Sequence, residues 1–267
     1  MSALFRSIAL LAATFACISA VRAQNTSEQE HVPPDPPTAQ DEHSMPYREM
    51  VRVMEMDDRS RFGKVMLDRL EWRDADGGSA FEWNGDAWYG NDYDKIWLKA
   101  EGARHAGETE SARTELLWNH TLTRWWNLQS GVRHDSPSGA SRNWAALGVQ
   151  GLAPGFFDVE ATVYVADQGR AAARISAERD FLFTQRLILQ PELELNAYTH
   201  DDAANRIGSG LSDLEVGLRL RYEPRREVAT YIGLAWTRHF GTTASLLRSG
   251  GNDSQQWQAV AGLRMWF

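Results

Sequence analysis

Asp213-Leu-Glu-Val-Gly-Leu-Arg-Leu-Arg-Tyr222 alternates along its length: Leu214, Val216, Leu218 and Leu220 fall on one side, Asp213, Glu215, Arg219 and Arg221 on the other. Side chains of a β-strand alternate between its two faces, so this segment has one apolar and one charged face. The same texture returns in Lys95 to Ala103, where Ile96, Leu98 and Ala100 oppose Lys95, Lys99 and Glu101. It returns in Phe157 to Val165 and in Arg186 to His200, where Leu187, Leu189, Leu193 and Leu195 oppose Gln190, Glu192, Glu194 and Asn196. A soluble sandwich would also alternate, with its polar face in water. These segments are near the 9–11 residues that a tilted membrane strand needs, which favours a barrel with its apolar face in lipid.

Working outward gives about twelve strands, near 62–72, 79–89, 93–104, 110–121, 124–134, 142–152, 156–166, 171–182, 185–200, 212–223, 227–239 and 254–267. The expected fold is all-β: a transmembrane antiparallel up-and-down β-barrel over 62–267. Barrels of this class have short periplasmic turns and longer outer loops. Thr121 to Arg124, Ala153-Pro154-Gly155, Phe183-Thr184 and Glu223-Pro224-Arg225 are tight, whereas Asp135 to Ser141, Asp201 to Leu211 and Gly241 to Asp253 are long. The even-numbered strand ends therefore face the periplasm, and an even count puts both ends of the barrel there. Eleven tryptophans beside a negative mean hydropathy suit such a wall, where only alternate residues meet lipid and aromatic girdles mark the interfaces. The final Phe267 closes an alternating strand, as bacterial outer-membrane barrels typically do.

Upstream the texture changes. Met1 to Ala23 has one early cation, Arg6, an apolar run from Ile8 to Ala20 and a Val-Arg-Ala end, the pattern of a secretory signal peptide. Cys17, the one cysteine, lies inside it, so a processed chain has no disulfide or thiolate site and soft-metal chemistry falls to His and Met. Residues 24–61 hold Pro33, Pro34, Pro36, Pro37 and Pro46 with many acids and few large aliphatics, and read as a disordered periplasmic arm. The net charge of −8 argues against nucleic acid as a partner.

Strand parity turns charges of both signs inward, among them Lys99, Glu101, Arg113, Glu115, Arg133, Arg174, Glu178, Glu192, Glu194, Arg219, Arg221 and Arg264. A dozen strands leave a narrow lumen, where such charges must pair or stay hydrated. They read as a rigidifying salt-bridge network, as a lining for a small ion, or as both. His105, His134, His200 and His239 fall at the outer ends of strands, and His105, His200 and His239 have inward parity. Imidazole is the commonest metal ligand, so these three form a candidate rim site; the alternative is unrelated loop-edge residues. His120 falls on the periplasmic side, toward lipid headgroups. In the arm, His43 and Met45 precede Met50, Met54 and Met56. Thioether and imidazole ligands suit Cu(I), and imidazole also Cu(II), though the spacing of Met50 and Met54 also fits an amphipathic helix. A lipid-hydrolysing barrel would need a nucleophile beside a histidine; His134-Asp135-Ser136 is the one compact candidate, and Gly-x-Ser-x-Gly is absent.

Several segments together resemble the copper resistance protein B family. They are Met54-Glu-Met-Asp-Asp-Arg-Ser-Arg-Phe-Gly-Lys-Val-Met-Leu-Asp-Arg-Leu-Glu-Trp72, Phe81-Glu-Trp-Asn-Gly-Asp-Ala-Trp-Tyr-Gly90, Lys95-Ile-Trp-Leu-Lys-Ala-Glu-Gly102, Leu189-Gln-Pro-Glu-Leu-Glu-Leu-Asn-Ala-Tyr198 and Gly210-Leu-Ser-Asp-Leu-Glu-Val-Gly-Leu-Arg-Leu-Arg-Tyr-Glu223. The resemblance, over roughly 54–267, implies an outer-membrane protein of copper resistance that binds copper as cargo and influences its passage across the outer membrane, not an enzyme. Its expected partners are copper ions, outer-membrane lipid and a periplasmic copper-carrying protein. Family arms are often dense in His and Met repeats. This arm keeps only His43, Met45, Met50, Met54 and Met56, which favours capture and hand-over over bulk sequestration. The alternative reading is a narrow pore or structural barrel without a metal role.

Overall fold

The computed structural model describes residue 49 and residues 60–75, 78–105, 108–136 and 141–267; the signal-like segment and nearly all of 24–61 lie outside the described residues. Thirteen strands form one antiparallel sheet: β1 (Phe62–Ala75), β2 (Gly78–Gly90), β3 (Asp94–His105), β4 (Glu108–Thr121), β5 (Trp126–Asp135), β6 (Arg142–Ala153), β7 (Phe157–Val165), β8 (Ala171–Glu178), β9 (Phe181–Leu182), β10 (Leu187–Tyr198), β11 (Gly210–Arg225), β12 (Val228–His239) and β13 (Gln255–Trp266). Each pairs with its chain neighbour, and β13 returns to β1, so the sheet closes on itself. Strands β8 and β9 are two pieces of one wall position, both paired with β10, and the barrel therefore has twelve positions. Among the described residues no helix is long and apolar enough to cross a membrane; the strands do it.

The wall is inverted relative to a soluble protein. Leu147, Ile232 and Val132 are 59%, 64% and 58% exposed on the outer face, while Glu71, Arg73 and Arg219 are buried inside. Exposed aromatics mark the end with tight turns: Tyr93, Trp125, Phe156 and Phe183 each sit in a different one. At the other end Trp257 lies beside Trp236, with ring centroids 6.2 Å apart and planes tilted by 40°. Tryptophan and tyrosine belong at such interfaces because they are apolar in body and polar at the tip.

The expected alternation of loop lengths holds for the later strands, where 199–209 and 240–254 are long. The first strands run longer than the later ones: β1 and β4 have 14 residues against 9 in β7. The segment Gly241 to Asp253 also departs from a plain loop. It contains helix α1 (Gly241–Ser249), whose buried Thr243 accepts from the Gly208 amide and lies 3.1 Å from the Ser212 hydroxyl. A side chain at Gly208 would collide with the backbone of Thr243, so this docking requires glycine.

Candidate functional site

The lumen positions whatever the barrel does. A β-bulge in β1 shifts the register between Leu67 and Arg69. A bulge opposes two residues to one on the partner and so re-aims side chains. Here the consecutive Asp68 and Arg69 both reach lumenal partners: Arg264 bonds Asp68 at 2.9 Å, and Arg69 bonds Glu192 at 2.5 Å. Beyond the bulge Glu71 and Arg73 face inward and Trp72 faces out.

Two ionic crossbars follow. In the first, Arg219 donates to Glu71 at 2.8 Å and also reaches Glu192, joining β11 to β1 and β10. Arg73 donates to Glu71 at 2.7 Å, Glu215 at 2.8 Å and Glu82 at 2.9 Å. In the second, Arg174 on β8 grips both oxygens of Glu101 on β3, five wall positions away, and bonds Glu194 at 2.7 Å. Arg113 adds a 2.7 Å bond to Glu101. On a twelve-position wall a five-position link runs close to a diameter. Desolvating these charges is costly, and the multiple short bonds of good geometry offset that cost.

The remaining lumen differs in kind. Leu117, Trp144, Ala146, Tyr164 and Ala172 form a buried apolar cluster. The Arg133 guanidinium lies 4.4 Å from the Tyr164 ring centroid while bonding Asp135 at 2.7 and 2.8 Å. One side of the lumen is thus packed like a soluble core, the other bolted by ion pairs. Between and beyond lie three spaces: about 740 Å³ at the end with tight turns, about 200 Å³ in the middle and about 340 Å³ toward the outer end. The middle space is acid-rich, with eight carboxylates and four cationic side chains on its walls.

The histidines do not converge. His239 ends β12 opposite Asp213; it is half-buried, and its Nδ1 has no hydrogen-bond partner among the described residues. His200 stands exposed two residues past β10, with Nδ1 2.9 Å from the Thr199 hydroxyl. Asn196 and Asp213 are paired, as are Asp213 and His239; His200 lies four residues above that row, roughly 13 Å along the strand. His105 ends β3, paired with Ala80 and four wall positions from β12. His134 bonds Asn143 at 2.6 Å, and His120 bonds Asp94 at 2.8 Å while stacking on Trp118. Among the described residues no group of three or more His, Cys, Asp or Glu side chains could hold a metal. His43, Met45, Met50, Met54 and Met56 lie outside the described residues. The hydrolase candidate is not assembled: exposed His134 bonds Asn143, while Asp135 bonds the lumenal Arg133.

Sequence reasoning missed the first crossbar. The bulge at Asp68 breaks period two in β1, and Gly85-Asp86 obscures β2, so Asp68, Arg69, Glu71, Arg73 and Glu82 escaped the parity count. The signal was present in the adjacent Asp68-Arg69 pair, which interrupts period two between Lys64 and Glu71.

Comparison with known proteins agrees with this architecture. Residues 61–267 match the family model described as copper resistance protein B precursor (CopB). The chain is 48% identical over 203 residues to copper resistance protein B of Escherichia coli, covering 76% of this chain and 69% of that protein. It is 46% identical over 202 residues to a copper resistance protein B homolog of Pseudomonas syringae pv. tomato (strain ATCC BAA-871 / DC3000), with the same coverage. In shape it is similar to the solved NanC porin, with a TM-score of 0.51 at 12% identity, over 76% of this chain and 99% of that one. The closed inverted wall and these relatives lead to one conclusion: the chain belongs to the copper resistance protein B family and is an outer-membrane barrel of copper resistance.

Proposed function

We propose that the protein captures copper ions and hands them over at the outer membrane, rather than acting as an open pore or an enzyme. Family membership, at 48% identity to a copper resistance protein B, carries the reading. The ligands are Met45, Met50, Met54 and Met56 with His43 on the stretch before the barrel, or, as a separate site, His105, His200 and His239 at the outer rim. Thioether and imidazole donors suit Cu(I), imidazole also Cu(II), and neither needs a thiol in an oxidising compartment. The two crossbars support hand-over over free diffusion, because an ion crossing the lumen would have to displace paired charges. The stretch 24–61 acts as the periplasmic arm, Met1 to Ala23 as the signal peptide, and a periplasmic copper carrier as the exchange partner.

The test is a copper titration of the refolded mature chain beside one beginning at Phe62, under reducing and oxidising conditions. Binding by the longer chain alone assigns copper to the arm. Binding by both directs attention to the rim histidines, to be followed by changing His105, His200 and His239 to Ala. Absence of binding by either at micromolar metal removes the capture role and leaves a narrow pore or structural barrel.

A further inference from the structure

The largest space, about 740 Å³, opens at the end with tight turns, which the loop asymmetry places in the periplasm. Its walls carry six cationic side chains, Lys64, Arg186, Arg221, Arg225, Arg226 and Arg264, against two acids, Asp180 and Glu223. Arg221 holds both acids, at 2.6 and 3.0 Å. Arg264 is taken by Asp68, and Lys64 lies 5.3 Å from the centroid of the Trp266 ring. Arg186, Arg225 and Arg226 are exposed on two neighbouring turns and have no ion-pair partner among the described residues. The sign is opposite to the acid-rich middle of the lumen, so this mouth repels a free cation and attracts an anion.

The three unpaired arginines are spread over two turns rather than converging on one point. The space is also many times the volume of a single small anion.

We propose that the periplasmic mouth is a docking seat for an extended acidic segment of a periplasmic protein, which crosses the mouth and sets its carboxylates on Arg186, Arg225 and Arg226. The seat is independent of where copper binds, so it stands or falls apart from the capture role. Bidentate arginine–carboxylate pairing supplies the specificity, and the open position makes binding salt-sensitive.

The test uses the full chain in detergent micelles and a fluorescent, end-capped hexaglutamate peptide read by anisotropy. The expected result is saturable binding that weakens at least ten-fold in the triple variant Arg186→Gln/Arg225→Gln/Arg226→Gln. A second triple variant, Arg206→Gln/Arg238→Gln/Arg248→Gln, removes the same charge from the exposed outer end and should bind as the parent does. Equal loss in both variants would mean general charge attraction and would overturn the seat. Inorganic phosphate competing as well as unlabelled hexaglutamate at matched ionic strength would overturn it in favour of a small-anion site. Retention of heat-modifiable gel mobility verifies that each variant is a folded barrel.

Discussion

Along β12, Leu234 is 54% exposed and its neighbour Ala235 is fully buried. One residue apart, they face different solvents. The outer face is apolar because lipid is, and it holds the barrel in place without tying one strand to a distant one. The lumenal face does that tying, through side chains far apart in sequence, among them pairs separated by 73 and 148 residues. Orientation in the membrane therefore resides on one face and the particular closure of this barrel on the other.

That contrast breaks first at Glu71, which is fully buried between Arg73 and Arg219. Glu71→Ala removes the carboxylate that Arg73 and Arg219 share, leaving Arg73 with Glu82 and Glu215 and Arg219 with Glu192, and should cost up to about 3–5 kcal/mol, the usual penalty for removing one side of a buried pair. Urea unfolding of the protein refolded into vesicles measures it. The double change Glu71→Leu/Arg219→Met should recover part of the loss. A double variant less stable than Glu71→Ala would show that the lumen needs the ions themselves and not merely their balance. Next comes the lipid face, where Ile232→Arg should cost roughly 2–4 kcal/mol if it sits near the bilayer midplane, and much less near an interface. The same assay in bilayers of different thickness would sharpen the assignment of depth.

The smallest effect lies on the outer loop after β10. Burial raises the pKa of Asp202, but bonds from Asn205 and from Arg142 at 2.7 Å outweigh it and hold the carboxyl below its ordinary value. A lowered folded pKa contributes stability that is present above the unfolded carboxylate pKa and is lost as pH falls through the folded one. Hydrogen exchange of residues 199–209 should therefore stay flat near neutrality and rise only in acid. In Arg142→Ala that rise should begin at higher pH. A flat profile in both proteins would detach this ion pair from loop order.

The wall was legible because lipid on one side and water on the other leave period two almost undisturbed, and alternation broken by turn residues places all twelve wall positions. The split of β8 from β9 was not, since Arg179 and Asp180 read as one more inward–outward step. Helix α1 was hidden because Gly241, Thr242, Thr243 and Ser245 are loop-forming types, and the docking of Thr243 on Ser212 is a tertiary fact. The inward charges of the later strands were visible as a set. Their partners were not, because pairing across a closed lumen depends on how far each strand is staggered. Leu117 was hidden in the same way: Leu116 and Leu117 break alternation, and only the fold shows which of them enters the core with Tyr164.

Closure of β13 on β1 carries a consequence for biogenesis. The amide of Phe267 bonds the carbonyl of Val65, and the amide of Val65 bonds the carbonyl of Phe267. The first strand must therefore wait, with one edge unsatisfied, until the last has been synthesised, exported and delivered to the bilayer. An unpaired strand edge in hydrocarbon costs several kcal/mol per polar group, so such a chain cannot idle half-built in lipid. The seam acts as a checkpoint: insertion completes only when β13 meets β1, and damage to β13 would be felt as failure to assemble rather than as a weakened barrel.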